Sequence, residues 1–240
     1  MLANAVGFNQ TTTNVRIAEV FHSVQGEGEF AGTPSVFVRT TGCNLRCWFC
    51  DTPYTSLHPE GPIRHWHDVL RQVLEWECPH VVLTGGEPLL QPEMVPLAQA
   101  LRHERRIVTV ETAGTVYRSI EADLMSISPK MSNSTPREES RWRSRHLRDR
   151  DRPDVLRRLL GESRYQLKFV VDQPIDLDEI VEYLKRFPEV VAERVWLMPQ
   201  GIYQDNLVEK AQWLAPAAQR LGFRFCPRRQ IELFGSVRGT

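Results

Sequence analysis

The chain is expected to fold as an α/β protein around a mostly parallel sheet. Three observations carry that expectation. Short apolar, β-branched runs alternate with longer stretches whose apolar residues recur at helical spacing. The linkers between them are of the size that right-handed crossovers use. Polar, glycine-rich segments follow the strands, where a parallel sheet gathers its C-terminal ends along one edge.

Taken in order, residues 15–21 and 35–39 read as the first two strands. The stretch 63–76 carries Trp66, Leu70, Val73 and Leu74 at helical spacing. After Pro79 comes the apolar run 81–83, then a helix over 94–101 and a β-branched strand over 107–110. Residues 124–127 are strand-like more weakly, with Ile127 their one β-branched residue. The second half repeats the alternation: helix 155–160, strand 165–171, helix 178–187 with Ile180, Val181 and Leu184 on one face, strand 195–197, helix 206–221 and strand 223–225.

Composition narrows the class. The 240 residues hold 30 Lys plus Arg against 30 Asp plus Glu, a formal net charge of zero, which excludes a polybasic protein held on nucleic acid by counterion release. With 41% apolar and 25% charged residues the chain is an ordinary globular one. Its length buries roughly 70–75% of the unfolded surface, enough for one full core. No stretch nears the ~18 unbroken apolar residues of a membrane span. Residues 1–14 read as a polar lead-in without the features of a secretory signal, and 15–240 as one domain.

Six polar segments converge on the expected strand edge: 40–51, Thr84-Gly85-Gly86-Glu87-Pro88, Glu111-Thr112-Ala113-Gly114, Ser128-Pro129-Lys130, Met198-Pro199-Gln200-Gly201 and Cys226-Pro227-Arg228. Gly85-Gly86 lets backbone approach a ligand, although a tight turn into a helix explains a double glycine as well.

The cysteines say more. Of five, Cys43, Cys47 and Cys50 lie within eight residues as C-x3-C-x2-C, directly after a strand, while Cys78 and Cys226 stand apart and are expected to pack. An odd, clustered set is not a disulfide framework and points to a reducing compartment, the cytosol by default. Thiolates suit zinc or an iron–sulfur centre. An electron-transfer 4Fe–4S cluster takes four Cys, so three leave one iron free to bind something else. A structural zinc site with His58 or His65 as fourth ligand, or inert buried thiols, are the alternatives.

One segment breaks the alternation. Residues 137–152, within an insertion over about 131–152, hold seven Arg and four acids around Trp142. The simpler reading is an exposed loop or helix solvated by mixed charge; the other is an insertion over the site, meeting an anionic ligand or RNA.

The C-x3-C-x2-C loop followed by Gly-Gly-Glu-Pro resembles the radical S-adenosylmethionine superfamily. Further segments are similar to its 7-carboxy-7-deazaguanine synthase family: Phe21-His22-Ser23-Val24-Gln25-Gly26-Glu27-Gly28, Gly32-Thr33-Pro34, Cys50-Asp51-Thr52, Ser128-Pro129-Lys130 and Ile231-Glu232-Leu233-Phe234-Gly235. The resemblance implies a partial, open (β/α) barrel. It also implies a 4Fe–4S cluster whose fourth iron chelates S-adenosylmethionine, one-electron cleavage to a 5′-deoxyadenosyl radical, and Mg2+. The implied reaction contracts the ring of 6-carboxy-5,6,7,8-tetrahydropterin to 7-carboxy-7-deazaguanine with loss of ammonia, on the route to queuosine and other deazapurines. Implied partners are a flavodoxin or ferredoxin as electron donor and a second copy of the chain in a homodimer, with neither membrane nor nucleic acid.

The same resemblance implies residue roles. Cys43, Cys47 and Cys50 hold the cluster, with Phe49 and Asp51 beside the adenosyl group. Gly86 and Glu87 meet the methionine end, and Ser128, Pro129, Lys130, Pro199, Gln200 and Gly201 complete that pocket. Val24, Gln25, Gly26, Arg39, Thr84 and Glu111 hold the pterin, and Thr52 ligates Mg2+. These types suit the tasks: Arg grips a carboxylate bidentately, Glu and Gln match an amide and amine edge, and a hydroxyl oxygen suits Mg2+. Each also has a plainer reading, a strand-edge ion pair for Arg39, a helix cap or a Lys130 partner for Glu111, an ordinary loop for 25–28. The family usually reads Pro-Arg-Leu-His-Ile near the C-terminus, where this chain has Pro227-Arg228-Arg229-Gln230-Ile231. Gln230 can keep a substrate hydrogen bond but does not titrate as His does.

Overall fold

The computed structural model describes residues 13–240; the expected lead-in lies, up to residue 12, outside the described residues. Nine strands form one sheet: β1 (Asn14–Val24), β2 (Pro34–Thr40), β3 (Ile63–His65), β4 (His80–Gly85), β5 (Ile107–Thr112), β6 (Leu124–Ile127), β7 (Tyr165–Val171), β8 (Val195–Pro199) and β9 (Arg224–Phe225). Their order is β3-β1-β2-β4-β5-β6-β7-β8-β9, with every neighbour from β2 to β9 parallel. The sheet is open, ending at the short strands β3 and β9, as a partial (β/α) barrel does.

The helices are α1 (Pro53–Ser56), α2 (Trp66–Leu74), α3 (Met94–His103), α4 (Arg143–Asp149), α5 (Pro153–Glu162), α6 (Asp176–Leu184), α7 (Gln204–Arg220) and α8 (Arg229–Phe234). Two differences from the sequence reading have physical causes. β1 runs antiparallel to β2, because the connection 25–33 is too short for a crossover. The stretch 63–76 is not helical throughout: residues 63–65 pair with Asn14–Arg16, and the helix starts at Trp66, where His65 Nδ1 accepts the His67 N–H at 3.3 Å. The crossover from β5 to β6 over 113–123 has no helix. The arginine-rich segment contains α4, whose one fully buried residue is His146.

Alternation along the strands sorts the two faces. Val36, Val38, Val81, Leu83, Val108, Val110, Leu167, Phe169 and Val171 are fully buried and form one core with Val69, Val73, Leu97, Leu101, Leu156, Ile180 and Leu214 of the helices. The residues between them, among them Phe37, Arg39, Thr84, Glu111, Ser126 and Lys168, face the other way and line a cavity. One strand face thus builds the core and the other builds the site.

Candidate active site

The cavity measures about 430 Å3, within the range of small-molecule sites. The C-terminal ends of the parallel strands and the β1–β2 loop surround it. Residues 235–240 also line it, with the Arg238 guanidinium 4.0 Å from the Tyr54 ring centroid.

Cys43, Cys47 and Cys50 are free thiols that all line this cavity. Burial pushes the Cys43 thiol up to about 12 and the Cys47 thiol up to about 11. Sulfur is a soft donor suited to an iron–sulfur centre, and three free thiols on one cavity wall fit a cluster held by three sulfurs. Among the described residues no three His, Cys, Asp or Glu are gathered tightly around a single point.

The loop carrying these thiols is tied down by its own polar groups. The Asn44 amide donates to Thr115 Oγ1 at 3.0 Å, the Leu45 N–H to Cys43 Sγ at 3.4 Å, and the Trp48 indole to the Asn133 carbonyl at 2.6 Å. Gly86 lies against it so closely that a Cβ there would stand 2.2 Å from the Gly42 carbonyl oxygen and 2.9 Å from Cys43 Cβ. Beside the cysteines, Phe49 and Thr52 line the cavity, and Asp51 forms an ion pair with Arg228.

A second group of polar side chains occupies the inner sheet face. Gln25 Nε2 donates to Glu111 Oε1 at 3.1 Å, and the Thr84 hydroxyl donates to Glu111 Oε2 at 2.9 Å. The structure thus joins three of the residues expected at the pterin. Val24 and Gly26 lie beside them on the cavity wall. Arg39 also lines the cavity, but its Nε is held by Glu19 Oε1 at 2.7 Å, so the strand-edge ion pair is present as well.

The remaining expected residues divide. Ser128, Lys130, Gln200 and Gly201 line the cavity, whereas Glu87, Pro129 and Pro199 do not. Lys130 Nζ donates to Ser128 Oγ at 2.6 Å, and burial lowers the affinity of its amine for a proton. Gln200 Oε1 accepts from Lys210 at 3.1 Å. The Glu87 carboxylate turns away, taking the Thr112 hydroxyl at 2.8 Å and the Ala113 N–H at 2.8 Å; burial raises its pKa.

Sequence reasoning missed the most charged part of the wall. Glu27 accepts from Lys168, from Arg228 Nε at 3.3 Å and from Gln230 Nε2 at 2.7 Å. Lys168 sits in an apolar strand and carried no pattern. The signals were the acid of the Gln25-Gly26-Glu27-Gly28 loop, the Cys226-Pro227-Arg228 segment at the expected strand edge and Gln230, but nothing in the sequence paired them. Gln230 presses on Gly26, where a Cβ would stand 1.7 Å from its Oε1.

Comparison with known proteins decides the family. The Radical SAM superfamily model matches residues 37–150, which span the cysteine loop, Gly85-Gly86 and α4. The 7-carboxy-7-deazaguanine synthase of Rhodopirellula baltica is 46% identical over 95% of this chain and 90% of its own length. The chain belongs to the 7-carboxy-7-deazaguanine synthase family. A second member, from Halobacterium salinarum, is 42% identical over 93% of this chain and 92% of its own. The crystal structure of QueE from Escherichia coli shares the fold, with a TM-score of 0.64 at 23% identity, covering 90% of this chain and 94% of that one. As a member of this family the chain is a radical S-adenosylmethionine lyase, and its family implies a 4Fe–4S cluster and S-adenosylmethionine. No helix among the described residues is long and apolar enough to cross a membrane.

Proposed function

We propose that this enzyme converts 6-carboxy-5,6,7,8-tetrahydropterin to 7-carboxy-7-deazaguanine with release of ammonia, on the route to queuosine and related deazapurines. The observation that carries the reading is the opening of two groups into one cavity: the three free thiols, and the Gln25–Glu111–Thr84 hydrogen-bond set. The bound cluster and S-adenosylmethionine would supply a 5′-deoxyadenosyl radical able to take a hydrogen atom from the substrate.

The chain's own residues would do the rest. Cys43, Cys47 and Cys50 hold the cluster, and Phe49 and Asp51 border the adenosyl group. Gly86 gives the methionine end a wall without a side chain, and Ser128 with Lys130 offers polar atoms there. Glu87, Pro129 and Pro199 act from behind that wall, since they do not line the cavity. Gln200, fixed by Lys210, and Gly201 complete the pocket. Glu111 accepts donors of the pterin edge, with Gln25 and Thr84 setting its orientation and Val24 and Gly26 closing the side. Arg39 meets the substrate carboxylate, and Thr52 offers an oxygen to Mg2+. Gln230 orients Glu27 and carries no titrating proton. The same reading gives a cytoplasmic homodimer reduced by a flavodoxin or ferredoxin.

The test is anaerobic reconstitution with iron and sulfide, followed by S-adenosylmethionine, Mg2+, a one-electron reductant and the tetrahydropterin. Expected are 7-carboxy-7-deazaguanine and one ammonia per turnover, with S-adenosylmethionine regenerated. A cluster-loaded enzyme that forms no deazaguanine, while the Rhodopirellula baltica relative does so alongside, defeats the reading.

A further inference from the structure

The arginine-rich segment brings one buried imidazole to the cysteine loop. His146 of α4 is 1% exposed. Its Nδ1 lies 3.1 Å from the backbone nitrogen of Arg46, and its Nε2 lies 2.9 Å from Ser134 Oγ. A backbone N–H can only donate, so Nδ1 is the acceptor and the ring proton sits on Nε2, facing Ser134. The Ser134 hydroxyl in turn donates to the Met131 carbonyl at 2.7 Å, and the Ser134 carbonyl accepts the Trp48 N–H at 3.2 Å. Trp142 reinforces the contact, its ring centroid 4.6 Å from the Arg46 guanidinium.

The amides on both sides of Cys47 are thereby tied: Arg46 to His146, and Trp48 to the serine that His146 holds. We propose that His146 is a positioning residue that fixes Cys47 for cluster binding and keeps the flanking Arg46 amide away from the cluster sulfurs. The proposal rests on reading Cys43, Cys47 and Cys50 as the cluster ligands.

Two physical arguments support it. Ordering an irregular loop costs backbone entropy, and a loop held in place by the fold binds its metal more tightly. Hydrogen bonds to cluster sulfur shift the reduction potential, and a donated N–H stabilises the more negative, reduced state. An Arg46 amide engaged by imidazole makes no such bond. The tether therefore favours a strongly reducing cluster, which electron transfer to a sulfonium requires. It also gives the segment 131–152 a task that involves neither RNA nor an anionic ligand.

The test compares wild type, His146→Leu, His146→Asn and Ser134→Ala as full chains reconstituted anaerobically. Measured are iron retained against a chelator, the midpoint potential followed by electron paramagnetic resonance, and the melting of the cluster-free protein by circular dichroism. His146→Leu is expected to lose the cluster about 10- to 100-fold more readily, with a more positive potential. His146→Asn places Oδ1 where Nδ1 stood and is expected to restore retention and potential towards wild type. Ser134→Ala, which removes both the His146 contact and the hydroxyl's hydrogen bond to Cys47, is expected to weaken retention while leaving the Arg46 bond in place.

Retention and potential unchanged in His146→Leu overturn the proposal, as does an Asn variant no better than Leu at equal melting temperature. Should His146→Leu not fold, the Asn and Ala variants decide, and wild-type behaviour of Ser134→Ala overturns the tether to Trp48. A wild-type chain that takes up no cluster overturns the ligand reading itself, a result recognisable before any variant is made.

Discussion

Lys168 and Glu27, 141 residues apart in the chain, meet as an ion pair with side chains only 6% and 13% exposed. The pair joins β7 to the β1–β2 loop at the cavity wall. Burial pushes the Glu27 carboxyl upward, but Lys168 and Arg228 outweigh it and bring it down to about 2. Burial likewise opposes the Lys168 ammonium, and Glu27 and Glu111 more than restore it.

Removing Lys168 strips one of two cations from a buried carboxylate that keeps Arg228 at 3.3 Å. Lys168→Met is expected to lower the unfolding free energy, by less than the roughly 3–5 kcal/mol of a fully unpaired buried charge, read from urea denaturation, whereas Glu27→Gln with Lys168→Met recovers most of it. The pH dependence follows from the depressed carboxyl. Its contribution is complete above the unfolded value of 4.5 and fades as pH falls toward about 2. A Lys168→Met protein as stable as wild type at pH 7 refutes this account.

His80 acts in a different window. It is 1% exposed on β4, its Nδ1 2.6 Å from Ser35 Oγ and its Nε2 2.8 Å from Thr109 Oγ1. Burial lowers its pKa from 6.5 to about 4. The unfolded chain therefore binds this proton before the folded one does, and stability falls as pH drops from 6.5 to about 4. The loss amounts to about 3 kcal/mol. His80→Gln is expected to flatten that part of the denaturation profile; an unchanged slope contradicts it.

These two groups mark the limit of what was legible in the sequence. Strand β7 could be read from Tyr165 to Val171, because its apolar residues cluster in a run of strand length. That Lys168 faces the cavity while Leu167 and Phe169 face the helices depends on which sheet face is covered, a tertiary fact. The cysteine loop and the glycine segment were legible because ligand chemistry constrains residue type and spacing. The Glu27–Arg228 contact was not, since pairing across 201 residues leaves no local period. The antiparallel β1 was missed through loop length, and the inward face of α4 because the surrounding arginines hide its one buried residue, His146.

Gly86 offers a test of how closely the glycine segment supports the thiols. A Cβ at this position would lie 2.2 Å from the Gly42 carbonyl oxygen and 2.9 Å from Cys43 Cβ, both on the cysteine loop. Neither neighbour is the far end of a flexible side chain, so the loop itself must move. Gly86→Ala is expected to lower the melting temperature of the cluster-free protein and to hold less iron after reconstitution and desalting. Full iron content in that variant shows that the loop yields without disturbing Cys43.

Glu111 is the residue on which substrate recognition turns in the proposed reaction. Its two oxygens accept from Gln25 at 3.1 Å and Thr84 at 2.9 Å, so both donors converge on one carboxylate. An amide at position 111 can accept from only one of them and turns its own N–H2 toward the other. A hydrogen bond to a charged group contributes about 1.5–3 kcal/mol, which sets the expected loss. Glu111→Gln should therefore lower kcat/KM for the tetrahydropterin by roughly 10- to 150-fold. The cluster lies outside this contact, so iron content and the electron paramagnetic resonance signal with S-adenosylmethionine should match wild type. Thr84→Val, which removes one donor and spares the carboxylate, should fall between the two. Equal kcat/KM in Glu111→Gln and wild type would remove Glu111 from substrate recognition, and loss of the cluster signal would instead assign it a structural role.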